Sequence, residues 1–268
     1  KLVSHVGKDG VWTDLCEPKP SFNRGRSWLV RKRVSGPEDP KLVQFSNGMG
    51  ESWGVTFSSF PPASFLSRDS APEDCKWADE AVMQMYIAAG GPTLASGQKT
   101  HGARLQCGDP GGTEKNWIAF THAGSLYYVY SIDPHIIVQV RTADGACVQQ
   151  YETASRPMRS LSANGDVLRG SATALHYSDT EYLALFHKRD PSTGYSTYAY
   201  TFEARPPFAV KRVSTELPLQ GSGRAFASSL SLVKDKVIIG YGVGDRASRV
   251  LVMSRSALDE TFEWCSGS

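Results

Sequence analysis

Trp117-Ile118-Ala119-Phe120-Thr121-His122-Ala123-Gly124-Ser125-Leu126-Tyr127-Tyr128-Val129-Tyr130 is two apolar runs rich in aromatic and β-branched residues. The short turn 121–124, which contains Gly124, separates them, so the stretch reads as a β-hairpin. The same pattern recurs at 171–175, turn Ser178-Asp179, 182–186, and again at 227–233, turn Lys234-Asp235, 237–241. The first strands begin at Ile118, Ser171 and Ala227, a repeat of roughly 55 residues. Each hairpin is followed by material for outer strands, at 136–141 with 147–151, at 197–202 with 208–212, and at 249–254. Four strands per unit at this period is the size of a propeller blade.

Two more hairpins lie upstream. One has Pro20-Ser21-Phe22 and Ser27-Trp28-Leu29-Val30 around an Asn23-Arg24-Gly25-Arg26 turn; the other has 41–45 and 53–57 around Asn47-Gly48. Five hairpins predict an all-β fold, a five-bladed β-propeller, with residues 1–268 as a single propeller catalytic domain. The N-terminal strand would complete the last blade and remove the open sheet edges. The alternative architecture is a two-sheet sandwich. The step from the second to the third hairpin carries an insertion or long loop around 61–112. Within it, Trp77 to Ala89 fits either a short helix or an outer strand. The repeat favours a strand, with a partner at 102–107.

Composition excludes several function classes. The 268 residues carry a net charge of +2, too little to argue for a nucleic-acid partner. No apolar run reaches the length of a membrane span. The five cysteines are scattered, with no Cys-x-x-Cys, and point to a reducing, cytoplasmic location with no zinc ribbon. No metal is expected, because the six histidines show no ligand spacing. A Ser-His-Asp hydrolase is not expected either. Oligomeric state is not legible in the sequence.

Propeller geometry confines the chemistry. The start of an innermost strand and the end of the next strand lie at one end, so these positions from every blade converge on one channel mouth. The starts supply Lys19, Glu38, Asp39, Glu114, Lys115, Asn116, Arg169 and Arg224. The ends supply Arg31, Arg33, Tyr130, Asp133, His135, His187, Lys188, Tyr241, Asp245 and Arg246. The result is a polar pocket with carboxylates and cations on facing walls. Asp39 stands out, because Pro37 and Pro40 hold Glu38-Asp39 in a stiff approach to a strand.

These residues also carry a resemblance. Gly36-Pro37-Glu38-Asp39-Pro40-Lys41 before an apolar strand resembles the Glu-Asp-Pro-Arg signature of five-bladed propeller enzymes acting on glycosides. Glu114-Lys115-Asn116-Trp117 with 128–135 is similar to a blade motif of the β-mannoside phosphorylase family, which includes β-1,2-mannosidases and β-1,2-mannosyltransferases. Leu168-Arg169-Gly170-Ser171, Leu185-Phe186-His187 and 240–245 resemble its later blades. Two positions depart: Lys19 stands where the family has Asn in Asn-Pro-Ser, and Lys41 where it has Arg.

The resemblance implies a carbohydrate-active enzyme acting on β-mannosides by inverting phosphorolysis or mannosyl transfer. Asp39 would be the general acid, with its proton able to travel through a substrate hydroxyl. Lys115, Tyr130, His135, Arg169 and His187 would bind phosphate or the sugar beside it, and Asp245 a sugar hydroxyl. Arg31, Asn116 and Tyr241 complete the expected substrate and phosphate site from their mouth positions. No cofactor is expected; the partners are an oligosaccharide and inorganic phosphate or a sugar phosphate. An inverting hydrolase with Glu114 or Asp245 as base, and a non-catalytic carbohydrate-binding propeller, are the competing expectations.

Overall fold

Burial alternates along β1 (Glu38–Ser46): Lys41, Val43 and Phe45 are buried, while Leu42, Gln44 and Ser46 are exposed. Successive side chains of a strand point to opposite faces, so this period assigns one face of β1 to a packed core. The computed structural model describes residues 38–46, 50–59, 83–89, 101–109, 112–163, 165–190, 192, 194–221, 225–244 and 246–264.

The described strands form four antiparallel sheets. The first runs β1, β2 (Glu51–Ser59), β3 (Gln84–Ala89) and β4 (His101–Arg104). The second runs β5 (Ile118–His122), β6 (Ser125–Ser131), β7 (His135–Val140) and β8 (Cys147–Thr153). Helix α1 (Arg156–Ser162) then leads to the third sheet. There β9 (Val167–Gly170) and β10 (Leu175–His176) both pair with β11 (Glu181–Asp190), followed by β12 (Gly194–Glu203) and β13 (Val210–Ser214). The fourth is β14 (Ala225–Val233), β15 (Lys236–Val243) and β16 (Ala247–Ser254). The chain continues through α2 (Arg255–Asp259) and returns β17 (Phe262–Trp264) to the outer edge of the third sheet, beside β13.

The sheets stack face to face because the middle ones are apolar on both faces. In β5, Ile118 and Phe120 join Tyr182, Phe186, Phe202 and Phe208 of the third sheet and its β12–β13 connection. Trp117 and Ala119 join Val43, Phe45 and Ile87 of the first. In β11, Leu183 and Leu185 turn instead to Ala227, Val237 and Ile239 of the fourth. The innermost strands also bond laterally: Ser46 N–H donates to Gly124 O at 2.7 Å and Ala174 N–H to Ala119 O at 2.9 Å. This is a propeller-like arrangement of four blades among the described residues.

The expected fifth blade rests on the hairpin at 20–30, which lies outside the described residues, as does the expected N-terminal closing strand. The strand reading of the insertion holds at β3 and β4. The expected continuous strand over 171–175 is instead split into β9 and β10. Between them Ser171 N–H still donates to Leu185 O of β11 at 3.0 Å, while Ala174 N–H turns to Ala119 O of β5, and a Cβ on Gly170 would stand 2.3 Å from Asn116 O and 2.4 Å from Ile118 Cγ1. Only glycine permits that approach. Cys107 and Cys147 form a disulfide, with Cα atoms 5.1 Å apart, that ties the exit of β4 to the start of β8. Forty residues separate them in the chain, a distance at which spacing alone gives no hint of pairing.

Phe120 holds the contact between the second and third sheets, its ring 4.9 Å from Tyr182, 5.2 Å from Phe202 and 5.6 Å from Phe208. Removing a ring so enclosed forfeits both transfer energy and packing. Phe120→Ala is expected to lower the unfolding free energy by about 3–5 kcal/mol. In a denaturant titration the midpoint should fall while the slope stays the same.

Candidate functional site

The mouth at the start of β1 gathers side chains from three sheets. Asp39 is exposed and has φ 51°. The β1–β2 register shifts between Glu38 and Lys41, so the strand enters its sheet through an irregularity at Asp39. Asn116, which precedes β5, has φ 64° and is buried, with Oδ1 unpartnered among the described residues. Two non-glycine residues in the left-handed region cost on the order of 1–3 kcal/mol each, and such strain gathers at functional sites.

Lys41 is buried, and its Nζ donates to Trp117 O at 3.0 Å, joining the first and second sheets. Burial lowers its pKa from 10.5 to about 8, with the nearby Asp39 charge acting in the opposite direction. Glu114 is also buried. Its Oε1 accepts from Asp109 N–H at 2.8 Å and Tyr130 OH at 3.2 Å, and its Oε2 from Trp117 Nε1 at 3.1 Å. Both carboxylate oxygens are thus engaged. Trp117 and Tyr130 meet edge to face at 5.0 Å and complete this wall. Burial, then the Glu114 charge, raises the Tyr130 hydroxyl above its ordinary pKa.

His187 lies opposite Arg169 in the β9–β11 pairing. It is 2 % exposed, and its Nδ1 is 3.1 Å from Ser171 Oγ. Its pKa is pushed down to about 3 by burial first, then by the positive charges of Arg169, Lys41, Lys115 and Arg189. The imidazole is therefore neutral at physiological pH, surrounded by cations from the first, second and third sheets. A neutral imidazole among fixed cations can donate or accept a hydrogen bond, while the cations suit an anionic ligand.

Of the expected residues, Arg169 and Lys115 act on His187 together with Lys41, Asp39 acts on Lys41, and Tyr130 bonds Glu114. Two expected residues sit elsewhere. His135 opens the third strand of its sheet and packs in the core between the second and third sheets. Its ring is 5.6 Å from Tyr200 and 5.5 Å from Phe202, it is 1 % exposed, and burial drops its pKa to about 3. Tyr241 faces the third sheet among Leu183, Leu185 and Ala227. Both are corrected from channel to core, because strand alternation aims them at a neighbouring sheet. Lys188 is paired with Asp166 at 2.7 Å. Arg31 and Asp245 lie outside the described residues.

Gly50-Glu51-Ser52-Trp53-Gly54 matches the Gly-x-Ser-x-Gly of a nucleophile elbow letter for letter. The match carries no chemistry, since Ser52 lies in β2, 1 % exposed, and not on a strand-to-helix turn. The sequence reading missed Tyr195 and Phe226, whose rings stand 5.2 and 5.0 Å from His187. The available signal was Phe226 at the start of an innermost strand, the position that places Asp39 and Arg169 at the mouth.

No protein-family model matches the chain, and no curated protein matches it in sequence. Solved structures match its fold. The β-1,2-mannobiose phosphorylase of Listeria innocua superposes with a TM-score of 0.57 at 14 % identity, over 84 % of this chain and 60 % of that one. A second structure comes from work on a mannoside-phosphorylase family containing hydrolases of β-1,2-mannosidic linkages in Candida mannan. It gives 0.51 at 13 % identity, over 91 % and 71 %. A glycosyl hydrolase of Bacteroides ovatus gives 0.50 at 12 % identity, over 82 % and 66 %. At these identities the likeness is one of fold, and this chain spans 60 % of the length of the first.

Lys41 has a measurable consequence. Its folded pKa lies below its unfolded one, so between about pH 8 and 10.5 the unfolded chain holds the extra proton. Stability from this group therefore rises with pH across that window, and its cost is fully present below it. Relative to Lys41→Met, wild type should gain on the order of 2 kcal/mol between pH 7.5 and 10. Paired denaturant titrations at the two pH values measure the difference.

Proposed function

We propose that this protein is a carbohydrate-active enzyme that transfers a mannosyl group between a β-mannoside and inorganic phosphate, with inversion at the anomeric carbon. The observation that carries the reading is His187, buried opposite Arg169 in the β9–β11 pairing, with the positive charges of Arg169, Lys41, Lys115 and Arg189 acting on it and the Asp39 charge acting on Lys41. The fold shared with a β-1,2-mannobiose phosphorylase supports it, and so does the Glu38-Asp39-Pro40 signature.

In this reading Asp39 gives its proton to the glycosidic oxygen, directly or through a substrate hydroxyl, as the bond from that oxygen to C1 breaks. A phosphate oxygen forms the new bond to C1 from the opposite face, so a β-mannoside yields α-mannose 1-phosphate. Phosphate arrives already anionic and needs only donors to hold it, which Lys115 and Arg169 supply. Asn116 Oδ1 and the Tyr130 ring would face the sugar. Simple inverting hydrolysis would instead need a second carboxylate to activate water, about 6.5–9.5 Å from the acid. Glu114 is poorly suited to that task, because three donors already occupy its oxygens.

Product analysis tests the reading. β-1,2-Mannobiose is incubated with and without phosphate, and mannose 1-phosphate is supplied with mannose as acceptor in the reverse direction. The expected result is phosphate-dependent formation of mannose 1-phosphate, reduced about 10²–10⁴-fold in Asp39→Asn. Free mannose released at the same rate without phosphate would make it a hydrolase. Undiminished turnover in Asp39→Asn would remove Asp39 from the mechanism.

A further inference from the structure

The mouth has an aromatic side that the phosphate reading leaves unused. Tyr195 follows Gly194 at the start of β12, and Phe226 is the second residue of β14, so they come from the third and fourth sheets. Both are half-buried. Tyr195 stands 5.2 Å from the His187 ring at 87°, Phe226 5.0 Å from it at 64°, and the two rings are 6.3 Å apart at 72°. His187 is thus the edge contact they share, and neither ring is stacked face to face on the other.

Phe226 is paired with Gly242 of β15. Directly opposed residues in an antiparallel pair project to the same face, so the neighbouring position is one that carries no side chain. Among the described residues, a Cβ on Gly242 would meet nothing nearer than Ala247 O at 4.0 Å. The next residue on that face, Ser248 of β16, is exposed. Two half-buried aromatic rings from different sheets, both in edge contact with one buried imidazole, suit a flat ligand with an apolar face and polar edges. A pyranose ring has that form, its C–H bonds lying on one face and its hydroxyls around the rim.

We infer that Tyr195 and Phe226 form a platform for one pyranose ring of the substrate, with His187 bonding a hydroxyl at that ring's edge. The inference rests on reading the mouth as a glycoside-active site. It adds a subsite for a sugar ring, separate from the cations that would hold phosphate, and assigns it to residues outside the sequence motifs.

The test is steady-state kinetics of Phe226→Leu and Tyr195→Leu, which keep apolar volume and remove the rings, alongside Phe226→Ala. The expected result is a rise of roughly tenfold in KM for the mannoside, the loss of about 1.4 kcal/mol of stacking, with KM for phosphate unchanged. Phosphate-dependent turnover with an unaltered mannoside KM in both leucine variants would overturn the platform while the proposed reaction stood. A parallel rise in both KM values would overturn it too, as a structural effect. If wild type turns over no mannoside, the proposed reaction fails, and saturation-transfer NMR decides the platform alone. Methyl β-mannoside, methyl β-glucoside and methyl β-galactoside are the probes, on wild type and Phe226→Leu. Transfer to one of them that is lost in the variant supports the platform; equal transfer in both proteins, or none in wild type, overturns it.

Discussion

Burial of both faces of the middle sheets is the constraint on which the rest of the structure depends. In β5 and the residue before it, neighbours serve different cores: Ile118 and Phe120 pack on the third sheet, Trp117 and Ala119 on the first. A sheet with two apolar faces cannot lie on a solvated surface, so each must be covered by another sheet. Stacking around an axis meets that need, and right-handed strand twist turns the stack into a fan. The second interface is dense in aromatic rings, with Phe120 in contact with Tyr127, Tyr182, Phe202 and Phe208.

The chemistry of the mouth follows from that stacking. Sheets that radiate from one axis bring their innermost strands close, and here the approach is limited by single atoms, as at Gly170 against Asn116 O. Side chains at the ends of those strands share a small space with restricted access to water. Lys41 and His187 feel this most, and burial lowers the pKa of both. A cluster of cations in such a place is electrostatically unfavourable until an anion joins it. The left-handed backbone at Asp39 and Asn116 adds to the same local cost. Function is the usual reason for a fold to tolerate such a concentration of strain and like charge.

Much of the scaffold was legible along the chain. Hairpins with apolar arms and short polar turns declare themselves through a two-residue period and through Gly, Asp and Asn at the bends. The strand reading of the insertion succeeded for the same reason: the repeat demanded outer strands, and β3 and β4 supply them. The site was legible as a set of positions, and less so as a set of side chains. Tyr130 and Arg169 lie near strand ends as the repeat predicts, Tyr130 bonded to Glu114 and Arg169 opposite His187. His135 and Tyr241 were not legible as core, since each occupies a strand position from which its side chain reaches the adjacent sheet. Tyr195 and Phe226 escaped notice because an aromatic residue in a strand is ordinarily part of the core.

Strand pattern, turn chemistry and the approach of Glu38-Asp39 between two prolines are local properties, set by neighbours a few residues away, and they can be read from order alone. Pairing across distance is of another kind. The Cys107–Cys147 bond, the split of one inner strand into β9 and β10, the bond from Lys41 to Trp117 O and the cations acting on His187 depend on which sheets stand side by side. The acidic residue between the prolines therefore looked from the chain like a stiff turn with a free carboxylate. Its charge acts on Lys41, which in turn bonds Trp117 O and acts on His187, and packing alone brings those three sheets together.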